Sequence, residues 1–115
     1  MPDGVVRIGD RATFQALRTS RHRGRSGPVS ATFVPAGPGD DRVRAAYAIG
    51  RRVGSAVVRN RLRRRLRVVM RSLATDGLTG GAYLVSVAPG ADVLAFDQLA
   101  AVVEAAVRRA SGAAR

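Results

Sequence analysis

Between Arg59 and Arg71 the chain reads RNRLRRRLRVVMR, seven arginines without one acidic residue. Charges this dense repel one another, so the run folds only if an apolar stripe on it is buried and its basic face meets an anion. On a helical wheel of about 100° per residue, Val58, Leu62, Leu66, Val69 and Leu73 fall within a sector of roughly 80°, the width of a face docked on a core. Arg59, Arg63, Arg64, Arg67 and Arg71 cover the opposite side. Arg61 and Arg65 sit at the margin of the stripe, where an aliphatic stem lies on apolar surface while the guanidinium reaches outward. The anion this pattern predicts is a phosphate backbone.

The rest of the composition narrows the partner. The chain carries a net charge of +12 with 46% apolar residues, which describes a folded basic domain rather than a disordered basic tail. All 20 of its cations are arginine. The physical result of this exclusive use of arginine is a surface of planar forks suited to phosphates and to stacking on bases. There is no cysteine, which excludes disulfides and thiolate metal sites. The start, MPDGVVRIGDR, lacks the apolar core of a signal peptide, and no run approaches the roughly 18 apolar residues that span a bilayer, so a cytoplasmic protein without a membrane partner is expected. At 115 residues the chain predicts one domain over 1–115, with 1–6 and 111–115 as disordered tails.

Asp10 predicts the cap of a short helix through Arg18. The segment SRHRGRSGP reads as a loop, and Pro28–Val34 and Val43–Ile49 read as strands forming a hairpin across the turn PAGPGDD. Ser55 predicts the cap of the basic helix, over Ala56–Leu73. Ala82–Val87 is a continuous apolar run expected as a central strand, and Phe96–Ala110 a final helix. The order αββαβα predicts an α+β fold, a two-layer α-β sandwich with helices packed on one sheet.

The stretch AYAIGRRVGSAVVRNRLRRRLR, Ala46–Arg67, resembles the bacterial ribonuclease P protein component. In that family a strand ends in a basic pair, Val/Ile-Gly follows, and then comes Ala-Val-x-Arg-Asn-Arg-hydrophobic-basic-Arg, the RNR motif. Arg51, Arg52, Val53, Gly54, Ala56, Val57, Arg59, Asn60, Arg61, Leu62, Arg63 and Arg64 stand in those places in order. With Thr13, Phe14 and Gln15 on a first helix, the resemblance covers 7–110. It implies a mixed four-stranded sheet, with a fourth strand that the pattern does not place. It also implies a left-handed β-α-β crossover through the basic helix, against the right-handed sense of about 98% of such units.

The resemblance further implies a role in removing the 5′ leader of precursor tRNA by phosphodiester hydrolysis. The partners implied are the catalytic RNA of ribonuclease P, which carries the active site and its Mg²⁺, and precursor tRNA. No DNA partner is expected, no catalytic residue is assigned to the chain, and no cofactor is assigned to its side chains. Carried over by position, Arg51, Arg52, Arg59, Asn60, Arg61, Arg63, Arg64 and Arg67 are expected to contact RNA. Phe14, Arg18 and Phe33 are expected at the leader cleft, although Arg18 stands where the family commonly has a second ring, and either Thr32 or Phe33 stands near the third position.

Each of these residues also has a plainer role. From its spacing alone, Phe14 beside Leu17 is more often a core ring than a base platform. Tyr47 and Tyr83 read as core or cross-strand partners, His22 as a solvated loop residue, and Asp40 and Asp41 as turn formers. No hydrolase, Walker or dinucleotide motif is present. The alternative function is a non-catalytic RNA binder, a ribosomal protein or an RNA chaperone.

Overall fold

The computed structural model describes residues 4–113. The strands are β1 (Val5–Arg7), β2 (His22–Ser26), β3 (Val29–Pro35), β4 (Val43–Ile49) and β5 (Gly81–Val87), and the helices α1 (Arg11–Thr19), α2 (Ala56–Thr75) and α3 (Phe96–Gly112). Short 3-10 turns at Arg51–Val53 and Ala91–Val93 lead into α2 and α3. The strands form one sheet in the order β1-β4-β5-β3-β2, with β1, β4 and β5 parallel and β3 and β2 antiparallel. This is the expected α+β class on a mixed sheet, with five strands instead of four.

The run 81–87 is central, as its continuous apolar character requires, because both its faces are covered. Its position overturns the expected hairpin of β3 and β4. Those strands do not touch, because β5 inserts between them and pairs with both. The real hairpin joins β2 to β3 through Gly27, at φ 55°, and Pro28.

The segment expected as a loop, SRHRGRSGP, contains β2, a strand that its composition hides: the inward positions are His22, Gly24 and Ser26 rather than apolar residues. At Gly24 a Cβ would strike the backbone of Ala106 and Ala110, so α3 lies directly on the strand where a side chain would otherwise pack. His22 is correspondingly half-buried and not a solvated loop residue. The expected tails are shorter in the fold: Val5 and Val6 belong to β1, and Ser111 and Gly112 continue α3. Gly4 and Ala113 adjoin these elements, and 1–3 and 114–115 lie outside the described residues.

The main core lies between one sheet face and the helices α2 and α3. Leu62, Leu66, Val69, Met70 and Leu73 of α2 meet Leu99, Val103, Ala106 and Val107 of α3 over Val29, Ala31, Phe33, Tyr83 and Val85. Phe33 and Tyr83 pack ring against ring, centroids 4.8 Å apart and tilted by 42°. A smaller cluster on the other face, Ile8, Leu17 and Ala82, seats α1. Helices therefore cover both faces, α1 adding a partial layer to the expected two. Ser55 caps α2, its Oγ accepting from the Val58 amide at 3.3 Å, and β4 connects through α2 to its parallel neighbour β5.

Leu66 is fully buried at the centre of this core. Leu66→Ala is expected to cost about 2 to 5 kcal/mol through the cavity it leaves, read by chemical or thermal unfolding. Gly24→Ala should also destabilise, by about 1 to 3 kcal/mol, because only backbone can yield there. Gly37→Ala, with nothing within 4 Å of the added Cβ, serves as its neutral control.

Candidate nucleic-acid interface

β1 is only three residues long. After Ile8, whose amide donates to the Ala45 carbonyl at 3.2 Å, the chain turns away to α1, and among the described residues β1 pairs with β4 only as far as Ala45. A groove of about 480 Å³ fills the gap between α1 and α2. Ala45, Ala46 and Tyr47 form its floor, Val5, Arg7 and Ile8 one end, and Phe14 of α1 its rim. The opposing wall is a row from α2, Arg63, Arg67 and Arg71, each four residues from the last and therefore on one helix flank.

Phe14 is held in place from the start of its helix. Oδ2 of Asp10 caps α1, accepting from the Thr13 amide at 3.0 Å and from the Thr13 hydroxyl at 2.6 Å. Oδ1 accepts from the guanidinium of Arg44 on β4, which also donates to Thr13 Oγ1 at 3.2 Å. The hydroxyl of Thr13, and next the Arg44 guanidinium, hold the Asp10 carboxyl well below the usual carboxylate range. The helix carrying Phe14 is thus tied to the strand that floors the groove. Asp40, expected as a turn former, fills that role: it accepts from the Arg42 amide and guanidinium, chiefly the guanidinium, which hold its pKa at about 2.

Of the residues expected to contact RNA or leader, Phe14, Arg63 and Arg67 meet in the groove. Phe14 is 38% exposed and belongs to neither core cluster, so it is not a core ring. Arg51, Arg52, Asn60, Arg61 and Arg64 are exposed outside the groove. The wheel put Arg61 at the margin of the stripe and Arg59 and Arg63 opposite it. In the fold Arg61 is exposed while Arg59, Arg63 and Arg65 are half-buried, because Met70 widens the docked face toward Arg59 and Arg63. Arg59 is partly structural, its Nε donating to the Gly54 carbonyl at 3.2 Å.

Two leader assignments change. Phe33 is 1% exposed and faces α2 and α3, so it is a core ring and not a leader contact. The strand alternation that buries it turns Thr32 toward the α1 face instead. Arg18 is exposed, one turn beyond Phe14, and does not line the groove.

Arg7, Tyr47 and Arg71 line the groove although the sequence pattern did not mark them for it. Arg71 continues the four-residue rhythm of Arg63 and Arg67, and that rhythm is the signal that could have found it. Tyr47 and Arg7 carry no such signal, since their access depends on where β1 stops.

The model of the ribonuclease P family matches residues 4–111. The chain belongs to the ribonuclease P protein family. It is 37% identical over 108 residues to the ribonuclease P protein component of Thermobifida fusca, covering 89% of this chain and 74% of that one. It is 39% identical to the component of Thermus thermophilus, over 88% of this chain and 56% of the relative. The ribonuclease P protein of Staphylococcus aureus has the same fold at 19% identity, with a TM-score of 0.75 over 89% of this chain and 92% of that one. The Thermotoga maritima ribonuclease P protein does so with a TM-score of 0.71, at 19% identity over 85% and 91%. Family membership makes the chain a protein subunit of ribonuclease P, the endonuclease ribonucleoprotein of tRNA 5′ processing, and does not favour a ribosomal protein or a chaperone.

The Asp10 tether sets a pH dependence. Because its carboxyl is more acidic in the fold than in the unfolded chain, the tether stabilises above the unfolded value of about 3.9 and is lost as pH falls through and below it. The protection of the α1 amides against hydrogen exchange, taken relative to the intrinsic rate at each pH, should therefore fall below about pH 4 in the natural chain. Asp10→Asn should exchange faster at neutral pH and show a flatter acid response. The same acid response in both proteins would remove Asp10 from this role.

Proposed function

We propose that the groove holds the single-stranded 5′ leader of precursor tRNA while the outward flank of α2 binds the catalytic RNA of ribonuclease P. The observation that carries this reading is an exposed phenyl ring and a row of three arginines lining one groove over a floor of Ala45, Ala46 and Tyr47. A base stacks on such a ring whatever its identity, and the row neutralises successive phosphates, so the groove suits a strand of variable sequence. Arg51, Arg52, Asn60, Arg61 and Arg64 lie outside it and serve the second RNA.

The active site in this reading lies in the catalytic RNA. Among the described residues no three His, Cys, Asp or Glu side chains converge, and the groove's charged side chains are all arginine. Mg²⁺ held by the RNA supplies charge stabilisation at the scissile phosphodiester. The chain's part is to place the leader and to offset repulsion between two polyanions, which lowers the Mg²⁺ concentration that assembly needs. Among the described residues no helix is long and apolar enough to cross a membrane, and we assign the protein to the cytoplasm.

The experiment is precursor-tRNA cleavage by a bacterial ribonuclease P RNA at low Mg²⁺, with and without the protein; stimulation is expected, and its absence would defeat the proposal. Phe14→Ala should lose about 1 to 3 kcal/mol of affinity for precursor tRNA in the assembled enzyme, with mature tRNA unaffected because it has no leader. Equal losses for both tRNAs would remove Phe14 from the leader site. Arg61→Ala with Arg64→Ala should instead weaken binding of the catalytic RNA and flatten its salt dependence by about 0.7 to 0.9 in log-log slope per lost contact.

A further inference from the structure

The arginines of the segment 21–27 belong to neither the groove nor α2. As part of β2 and its approach they lie on the sheet edge farthest from β1, four strand spacings or about 19 Å away. Gly24 determines how they point. Because α3 presses on the strand there, His22, Gly24 and Ser26 face α3, and alternation sends Arg23 and Arg25 to the other face beside Thr32 and Ser30. Both are exposed, as is Arg21 just before the strand. Arg23 Nε donates to the Ser20 carbonyl at 3.3 Å, and Arg109 of α3 reaches round the edge to donate to the Arg25 carbonyl at 2.5 Å.

Among the described residues no ion pair takes up Arg21, Arg23 or Arg25; the pairs formed are Arg42–Asp40, Arg44–Asp10 and Arg108–Glu104. Same-face positions on a strand repeat about every 6.7 Å, close to one nucleotide step of an extended backbone. The neighbours Ser30 and Thr32 are small and neutral, so nothing competes for the guanidinium forks. Arginines on an open edge also guard against pairing with other strands. Guarding needs charge only, whereas here Gly24 holds the row in one register.

We propose that Arg21, Arg23 and Arg25 form a second phosphate-binding track, which holds a segment of RNA backbone separate from the segment on α2. This rests on the reading that the partner of the chain is RNA. Two tracks on one rigid body, one at a sheet edge and one on a helix packed over the sheet, bind one large RNA bivalently, so that the second contact forms at high effective concentration.

The test is a salt titration of binding to a transcribed bacterial ribonuclease P RNA, comparing the natural protein with Arg21→Ala/Arg23→Ala/Arg25→Ala. The variant should bind more weakly with a log-log slope shallower by about 2, and with an unchanged melting temperature. The corresponding triple Lys variant should keep the slope. Adding Arg61→Ala and Arg64→Ala should lower the slope further by an independent amount. An unchanged slope in the triple Ala variant overturns the track, including the case where the variant only self-associates, which would make these residues edge guards. Loss of binding to a polyglutamate peptide with RNA binding intact overturns it as well, in favour of an acidic protein partner. If Arg61→Ala/Arg64→Ala alone changes the slope, the track fails and the α2 reading stands; if neither variant changes it, both fail.

Discussion

The burial of one stripe of α2 carries the rest of the structure. Neighbouring like charges at helical spacing cost about 0.2 to 0.5 kcal/mol per pair in water, whereas a buried Leu, Val or Met side chain contributes about 1.5 to 3 kcal/mol. Leu62, Leu66, Val69, Met70 and Leu73 are all buried, so docking outweighs the repulsion of the arginines beside them. The helix can therefore be strongly basic and still well ordered. Once that stripe is seated, the orientation of every arginine on α2 is determined by the helix period alone.

The groove is a consequence of an incomplete edge. β1 pairs with only the first three residues of β4, and the chain then departs to form α1. A longer β1 would cover Ala46 and Tyr47; its early end leaves a floor between two helices. Asp10 keeps this opening in shape, because its carboxylate joins the first turn of α1 to Arg44 of β4 through Thr13. Arg44, itself half-buried on the sheet, commits its charge to this tether rather than to a ligand. Arginine thus has two distinct uses here: some side chains bond within the fold, as Arg42, Arg44, Arg59, Arg108 and Arg109 do, while others, such as Arg61 and Arg64 on α2, present charge at the surface.

In the function proposed above, that division lets a small rigid body with arginines on separated surfaces contact two mutually repelling RNA molecules without having to deform. The fold supplies the rigidity through a central strand, β5, covered on both faces, with the functional groups kept at the sheet edges and on the outer flanks of helices.

Much of this was legible in the amino-acid order. The caps at Asp10 and Ser55, the span of α2 and the central strand all rest on local chemistry, which the sequence states directly: a short polar side chain before an apolar rhythm, or a continuous apolar run; the RNR motif was legible through its resemblance to a family. The pairing of strands was not legible. Val29–Pro35 and Val43–Ile49 look like a hairpin because they are adjacent in the chain, yet β5 offers each a partner and an apolar face to bury, which only the closed sheet reveals. β2 was hidden because its partner is the backbone of α3, so its inward residue is glycine rather than an apolar side chain. The fates of Phe14 and Phe33 show the same limit. Both are rings in amphipathic settings, and composition does not separate them; the parity of β3 sends Phe33 into the core, and the gap beside β1 leaves Phe14 at the rim. The sequence by itself determined that this chain folds around a docked helix with a densely basic face, because helix period and charge are local properties. Which arginines and which ring face a common groove was decided only by tertiary structure, because exposure depends on what packs opposite a residue.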